Sequence, residues 1–99
     1  MTIEKRIEQY LNAYFDDERV MLEIDNEFKV YKNAMEALPA LVDRFMWWSI
    51  DNEDEQFNNN PVLLFEYCLD THDFGDICTL YYQDSSGDFR LEKPINDVY

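Results

Sequence analysis

The sequence predicts an α+β fold: a two-layer sandwich with two helices packed on an antiparallel sheet of about four or five strands. Three observations carry that expectation. Ile3, Ile7, Tyr10, Leu11 and Tyr14 recur at helical spacing near the start of the chain. Val20, Leu22 and Ile24, then Phe28 and Val30, alternate with other residues as half-buried strands do. Beyond Pro61 the apolar residues again fall into alternating runs separated by turn residues. At 99 residues the chain forms a single acidic domain spanning 1–99. With 46% hydrophobic and 16% aromatic residues it has material for a core, which excludes a disordered acidic tail.

The first helix is expected from about residue 3 to 15, with Thr2 as its N-cap. Asp16, Asp17 and Glu18 end it, although acids there do not complement the negative end of the helix dipole. A hairpin follows, with strands 20–25 and 28–32 around Asp25-Asn26-Glu27. Asn33 with Glu36 resembles a capping box, and Pro39 suits the first turn of a helix. A separate helical turn is therefore expected before a main helix over 38–48, buried through Leu38, Leu41, Val42, Phe45 and Trp48. Residues 49–61 read as a loop. Strands are then expected at Val62–Leu69, Ile77–Gln83 and Phe89–Lys93, with a Gly87-containing turn and an irregular tail, Pro94–Tyr99.

Charge is the most unusual property of the chain. Asp and Glu number 22 against 8 Lys and Arg, a formal net charge of −14. Such a surface repels nucleic acid and anionic membrane, both polyanions, and attracts basic proteins. No apolar run is long enough to span a membrane, and the N-terminus lacks a signal-peptide core. A cytoplasmic location is expected, with Cys68 and Cys78 reduced and placed as small apolar residues on neighbouring strands.

Recognised catalytic and metal chemistry finds no support. A calcium loop beginning at Asp51 would need Gly and Glu where Gln56 and Val62 stand. One beginning at Asp70 gains Gly75 but places Phe74 and Tyr81 at ligand positions. Cys68, His72 and Cys78 lack zinc-ligand spacing and a fourth soft ligand. One histidine with serines at 49, 85 and 86 makes no triad, and two glycines make no phosphate loop. Close carboxylate pairs suited to glycoside chemistry arise by chance among so many acids. The expectation is a non-enzymatic protein without cofactor or metal.

Acids instead gather in clusters: 16–18, Glu23/Asp25/Glu27, Asp51/Glu53/Asp54/Glu55, Asp70/Asp73/Asp76 and Asp84/Asp88. Alternate strand residues lie roughly 6.6 Å apart and helical i,i+4 neighbours about 6 Å, spacings that imitate phosphates along a nucleic-acid strand. Such rows could occupy the Lys and Arg positions that hold DNA in a basic cleft. Charge alone discriminates poorly between partners, so an apolar anchor is also expected. Met21, Ile24, Met35, Met46, Trp47 and Trp48 are the candidates, with Gln83 as a polar contact. Trp47 and Trp48 project about 100° apart on a helix, so one is expected inside and the other at the surface.

Several short stretches together resemble one family. "MTIEKRIEQYLNAYF", the aromatic pair before Ser49, "PVLLFEY" and "YYQDSSGDF" follow the order seen in the uracil-DNA glycosylase inhibitors, small acidic proteins of phages and mobile elements. The resemblance covers about half the chain. It implies a DNA mimic that blocks the glycosylase's DNA-binding cleft, using a carboxylate edge strand after the first helix. It also implies an apolar pocket between helix and sheet that captures a leucine of the enzyme. The family's Glu-Ser-Ile motif is matched only by Glu23 within Met21-Leu22-Glu23-Ile24-Asp25; the serine is missing. The functional expectation is an inhibitor of a DNA-processing enzyme, with Glu23, Asp25 and Glu27 as one acidic row, Asp51, Glu53, Asp54 and Glu55 as a second, and Asp84 in the late hairpin. The partner would be a basic DNA-binding protein, and the chain itself a monomer or dimer. The alternative is an immunity or anti-defence protein that neutralises a basic nuclease or another nucleic-acid-binding effector. A carboxylate-paired hydrolase and a dimeric chaperone with an apolar groove are more distant readings.

Overall fold

A computed structural model describes residues 1–15 and 18–91. Helix α1 spans Ile3–Tyr14, and Thr2 Oγ1 accepts from the Lys5 N–H at 3.2 Å, the expected N-cap. Ile3, Ile7 and Leu11 form its buried stripe, and Phe15 continues it inward. Of the acids placed at its end, Asp16 and Asp17 lie outside the described residues. Strands β1 (Val20–Ile24) and β2 (Glu27–Tyr31) form the hairpin. Asp25 and Asn26 both adopt positive φ, 52° and 67°, in the two-residue turn. These are the two non-glycine types that tolerate left-handed backbone best, and that twist matches the strands they join.

A 3-10 turn at Ala34–Ala37 precedes α2, Leu38–Ser49. Asn33 Oδ1 accepts from Glu36 N–H at 3.1 Å, while the Glu36 carboxylate accepts from Lys32 N–H at 3.2 Å. Those two bonds start the turn, the second reaching one residue further back than a capping box does, and Pro39 falls within the first turn of α2 as its missing N–H requires.

The stretch expected as a strand at Val62–Leu69 is a helix, α3, spanning Pro61–Thr71. The Asn60 side chain caps it by accepting from Leu63 N–H, and Pro61 occupies its first turn. Leu64, Phe65 and Cys68, at i, i+1 and i+4, are buried, while Leu63 and Tyr67 are exposed. The period is therefore 3.6 and not 2. His72 closes the helix in the left-handed conformation, with φ 55°. Cys68 consequently stands on a helix, and Cys78 just ahead of a strand, rather than on neighbouring strands. Both thiols are free and buried, and burial pushes them up to about 11 and about 12 respectively, far from a reactive range.

Strands β3 (Thr79–Gln83) and β4 (Phe89–Arg90) complete a four-stranded antiparallel sheet in the order β2-β1-β3-β4. The expected last strand was longer; Glu92 and Lys93, with the expected irregular tail Pro94–Tyr99, lie outside the described residues. The architecture is thus α+β, with three α-helices and not two among the described residues, packed in two layers with the sheet. Register assigns every strand residue to a face. Val20 pairs with Tyr31 and Tyr82, and Leu22 with Lys29 and Leu80. Val20, Leu22, Ile24, Tyr31, Leu80 and Tyr82 all join the core beneath the helices. At its centre Phe45 of α2 meets Phe65 of α3 edge-on, with ring centroids 5.1 Å apart, and Phe65 meets Tyr10 of α1 at 5.6 Å. Arg6 and Glu66 tie α1 to α3 with paired bonds of 2.6 and 2.9 Å, the bidentate geometry that favours arginine. No helix among the described residues is long and apolar enough to cross a membrane.

Candidate functional site

The residues expected to meet a partner divide between two surfaces. The first lies at the C-terminal end of α2. Met46, Trp47 and Ile50 are exposed there, Trp47 by 63%. Trp48 is half-buried against the core, so the aromatic pair divides between interior and surface as its angular offset requires. Its indole Nε1 is buried with no hydrogen-bond partner among the described residues.

Arg44 organises this end of the molecule. Its guanidinium lies 5.4 Å from the Trp47 ring centroid and 5.7 Å from that of Trp48. Its Nε donates to the Ile77 carbonyl at 2.6 Å, and its Nη2 donates to Asp25 Oδ1 at 3.0 Å. The hairpin tip, α2 and the segment before β3 are therefore joined by one side chain. Sequence reasoning passed over Arg44, because a lone cation on a helix carries no local sign of what it will meet.

Directly after Ile50 come the acids. Asp51 takes positive φ, 56°, and turns the chain out of the helix. A scaffold of amides then fixes the loop. Asn52 Nδ2 donates to the Trp48 carbonyl at 3.1 Å, Asn58 Nδ2 to the Asn52 carbonyl at 3.1 Å, and the Asn59 N–H to the Ser49 carbonyl at 2.8 Å. Phe57 is buried and packs on Tyr67, with centroids 5.2 Å apart. The asparagine triplet is therefore a structural device, and Asn60 goes on to cap α3. Asp54 accepts from the Gln56 N–H and Nε2 at 3.2 and 3.1 Å. The side chains of Asp51, Glu53 and Glu55 are exposed, with no ion-pair partner among the described residues. A hydrogen-bonded loop thus carries outward carboxylates just after the helix end that exposes Trp47.

The second surface is the side of the sheet opposite the helices. Register places Met21 with Val30 and Tyr81, Glu23 with Phe28 and Thr79, and Gln83 with Phe89 on this outer face. None of them joins the core cluster, and Phe28 and Val30 are 58% and 42% exposed. Tyr81 donates its hydroxyl to Glu23 Oε1 at 2.7 Å, and its ring lies 6.4 Å from that of Phe28. That bond to a carboxylate raises the Tyr81 phenol above its ordinary range.

The expected row of Glu23, Asp25 and Glu27 does not form. Glu27 pairs with Ile24 and has the parity of the helix-side face, opposite to Glu23, while Asp25 sits in the turn and bonds Arg44. The two-residue turn breaks the strict alternation that a single strand would have kept. Ile24 likewise points to the helices and packs against the core. Asp84 is drawn into its own turn: it accepts from Ser86 N–H, Ser86 Oγ and Asp88 N–H, each at 3.0 Å, and pairs with Arg90. Those donors hold its carboxyl down at about 2, the Arg90 bond contributing most.

Phe28, Val30 and Tyr81 were not expected as surface contacts. Their signal was available: helices can cover only one face of a single sheet, so each strand's second apolar set must face out. Comparison with known protein families, curated proteins and solved structures finds no match to this chain.

Proposed function

We propose that the protein is a non-enzymatic inhibitor that sets carboxylates against the basic DNA-binding cleft of a DNA-processing enzyme. The observation that carries the reading is the succession at the end of α2: exposed Met46, Trp47 and Ile50 run directly into the outward carboxylates of Asp51, Glu53 and Glu55. An apolar anchor rimmed by charge supplies both affinity and orientation, where charge alone would supply only encounter. The amide-braced loop supports the reading further, because a backbone already tied by hydrogen bonds loses less entropy on docking than a free one.

Uracil-DNA glycosylase is the first target to test, on the strength of the sequence resemblance. The test is titration of uracil excision by the purified enzyme. Inhibition that saturates at one equivalent supports the reading, and full activity at stoichiometric excess overturns that target. A specific observation favours keeping a second target in view. β1, the strand after the first helix, is paired on both sides, by β2 and by β3, so it is not an edge strand. The delivery of Glu23 along an exposed edge, which the resemblance implies, is not open to this chain. A basic nuclease or another nucleic-acid-binding effector, blocked through the α2 end, fits that difference, and the same titration against nuclease activity separates the two.

A further inference from the structure

The outer face of the sheet plays no part in the surface just described, yet it has its own chemistry. Phe28, Val30, Met21 and Tyr81 form an apolar field across β2, β1 and β3 with one carboxylate, Glu23, inside it. Glu23 is fixed in place by the Tyr81 hydroxyl through one of its two oxygens, leaving Oε2 with no protein donor among the described residues. A carboxylate held between two aromatic rings suits a cation with an apolar stem: the charge meets the carboxylate, and the stem and rings cover each other.

We propose that this face is a docking surface for a basic, extended segment of a partner protein, one arginine or lysine of which seats against Glu23 between Phe28 and Tyr81. The occupant follows from charge. Nucleic acid and anionic lipid are repelled by a chain of net charge −14. A second copy is disfavoured on two counts. Both partners would carry that charge, and a two-fold contact sets a patch against itself, bringing two central Glu23 carboxylates together. A basic segment reverses both costs. An extended one also matches the spacing of the face, since alternate side chains from one strand reach successive rows of the sheet surface.

The surface can be tested without any target enzyme, so its failure is separate from failure of the inhibitor reading. The probe is a terminally blocked hexapeptide alternating valine and arginine, added to the whole protein while backbone amide resonances are followed. Shifts are expected at residues 21–23, 28–30 and 79–81. Glu23→Gln should weaken binding about tenfold by removing a charge-assisted contact, and Phe28→Ser, at an exposed site, should weaken it without unfolding the chain. The triple variant Asp51→Asn, Glu53→Gln, Glu55→Gln should bind within about twofold of the parent, because distant exposed charges act weakly. A matching glutamate peptide should not bind. Shifts centred on residues 51–55, equal affinity of the parent and Glu23→Gln, or dilution-dependent shifts showing self-association through this face would each overturn the proposal.

Discussion

The two faces of one sheet differ more than its sequence pattern suggests. On the helix side, Val20 and Leu22 are buried with Phe45, Phe65, Ile7 and Leu11. On the other side Phe28 and Val30, comparable apolar residues on the same hairpin, remain exposed. Hydrophobic alternation therefore identifies the strand but not which face is covered; that is decided by where the helices fall. An uncovered apolar face contributes less to folding stability than a covered one, and a large one marks a surface for contact with another molecule.

The largest test of this difference is Phe45→Ala. Phe45 is fully buried and touches Phe65 and Phe74, so truncation should cost about 3–5 kcal/mol in urea unfolding. A loss well under 1 kcal/mol would mean that the helix layer is not the core. An intermediate effect belongs to Asp84, at the turn that joins β3 to the edge strand β4. Its folded pKa, about 2 against an ordinary 3.8, makes its contribution present above 3.8 and lost as pH falls through 2. The stability difference between the parent and Asp84→Asn should therefore shrink across that interval. A difference constant with pH would remove the ion pair from the account. The smallest effect is expected from Phe28→Ser, within about 1 kcal/mol, because the site is exposed and only strand propensity and one ring contact with Tyr81 are at stake. A loss comparable to that of Phe45→Ala would show that the outer face is covered within the chain itself.

The readable parts of the fold were those with one strong periodic signal and a cap. α1 has both, in its Ile3, Ile7, Leu11 stripe and Thr2. So does the start of α2, where Asn33, Glu36 and Pro39 mark consecutive turns. Residues 62–69 failed because they are apolar almost throughout: Leu63, Phe65, Tyr67 and Leu69 alternate while Leu64, Phe65 and Cys68 repeat as a helix does. Periodicity alone cannot separate those two readings, and the Asn60-Pro61 start signal was the better guide. The acidic sites divided for a related reason. Composition showed the charge, but Asp84 acquires its role from Arg90 across its own hairpin, and Asp25 and Glu23 acquire theirs from Arg44 and Tyr81, which are brought up by tertiary structure. Glu53 and Glu55 stayed outward because nothing basic was folded against them among the described residues.

The strand order also has a consequence in time. β1 pairs with β2 across a two-residue turn, but with β3 across roughly sixty positions, as between Met21 and Tyr81. The near pairing can form early, whereas the distant one must await most of the chain and carries a larger closure cost. As the chain leaves the ribosome, the first hairpin exists before its third strand has emerged. During that interval the helices that cover its inner face can already emerge, but one backbone edge of β1 is open. Such an edge is a template for pairing with neighbouring chains. Like charge on every copy, −14 in the whole chain, opposes that pairing by mutual repulsion.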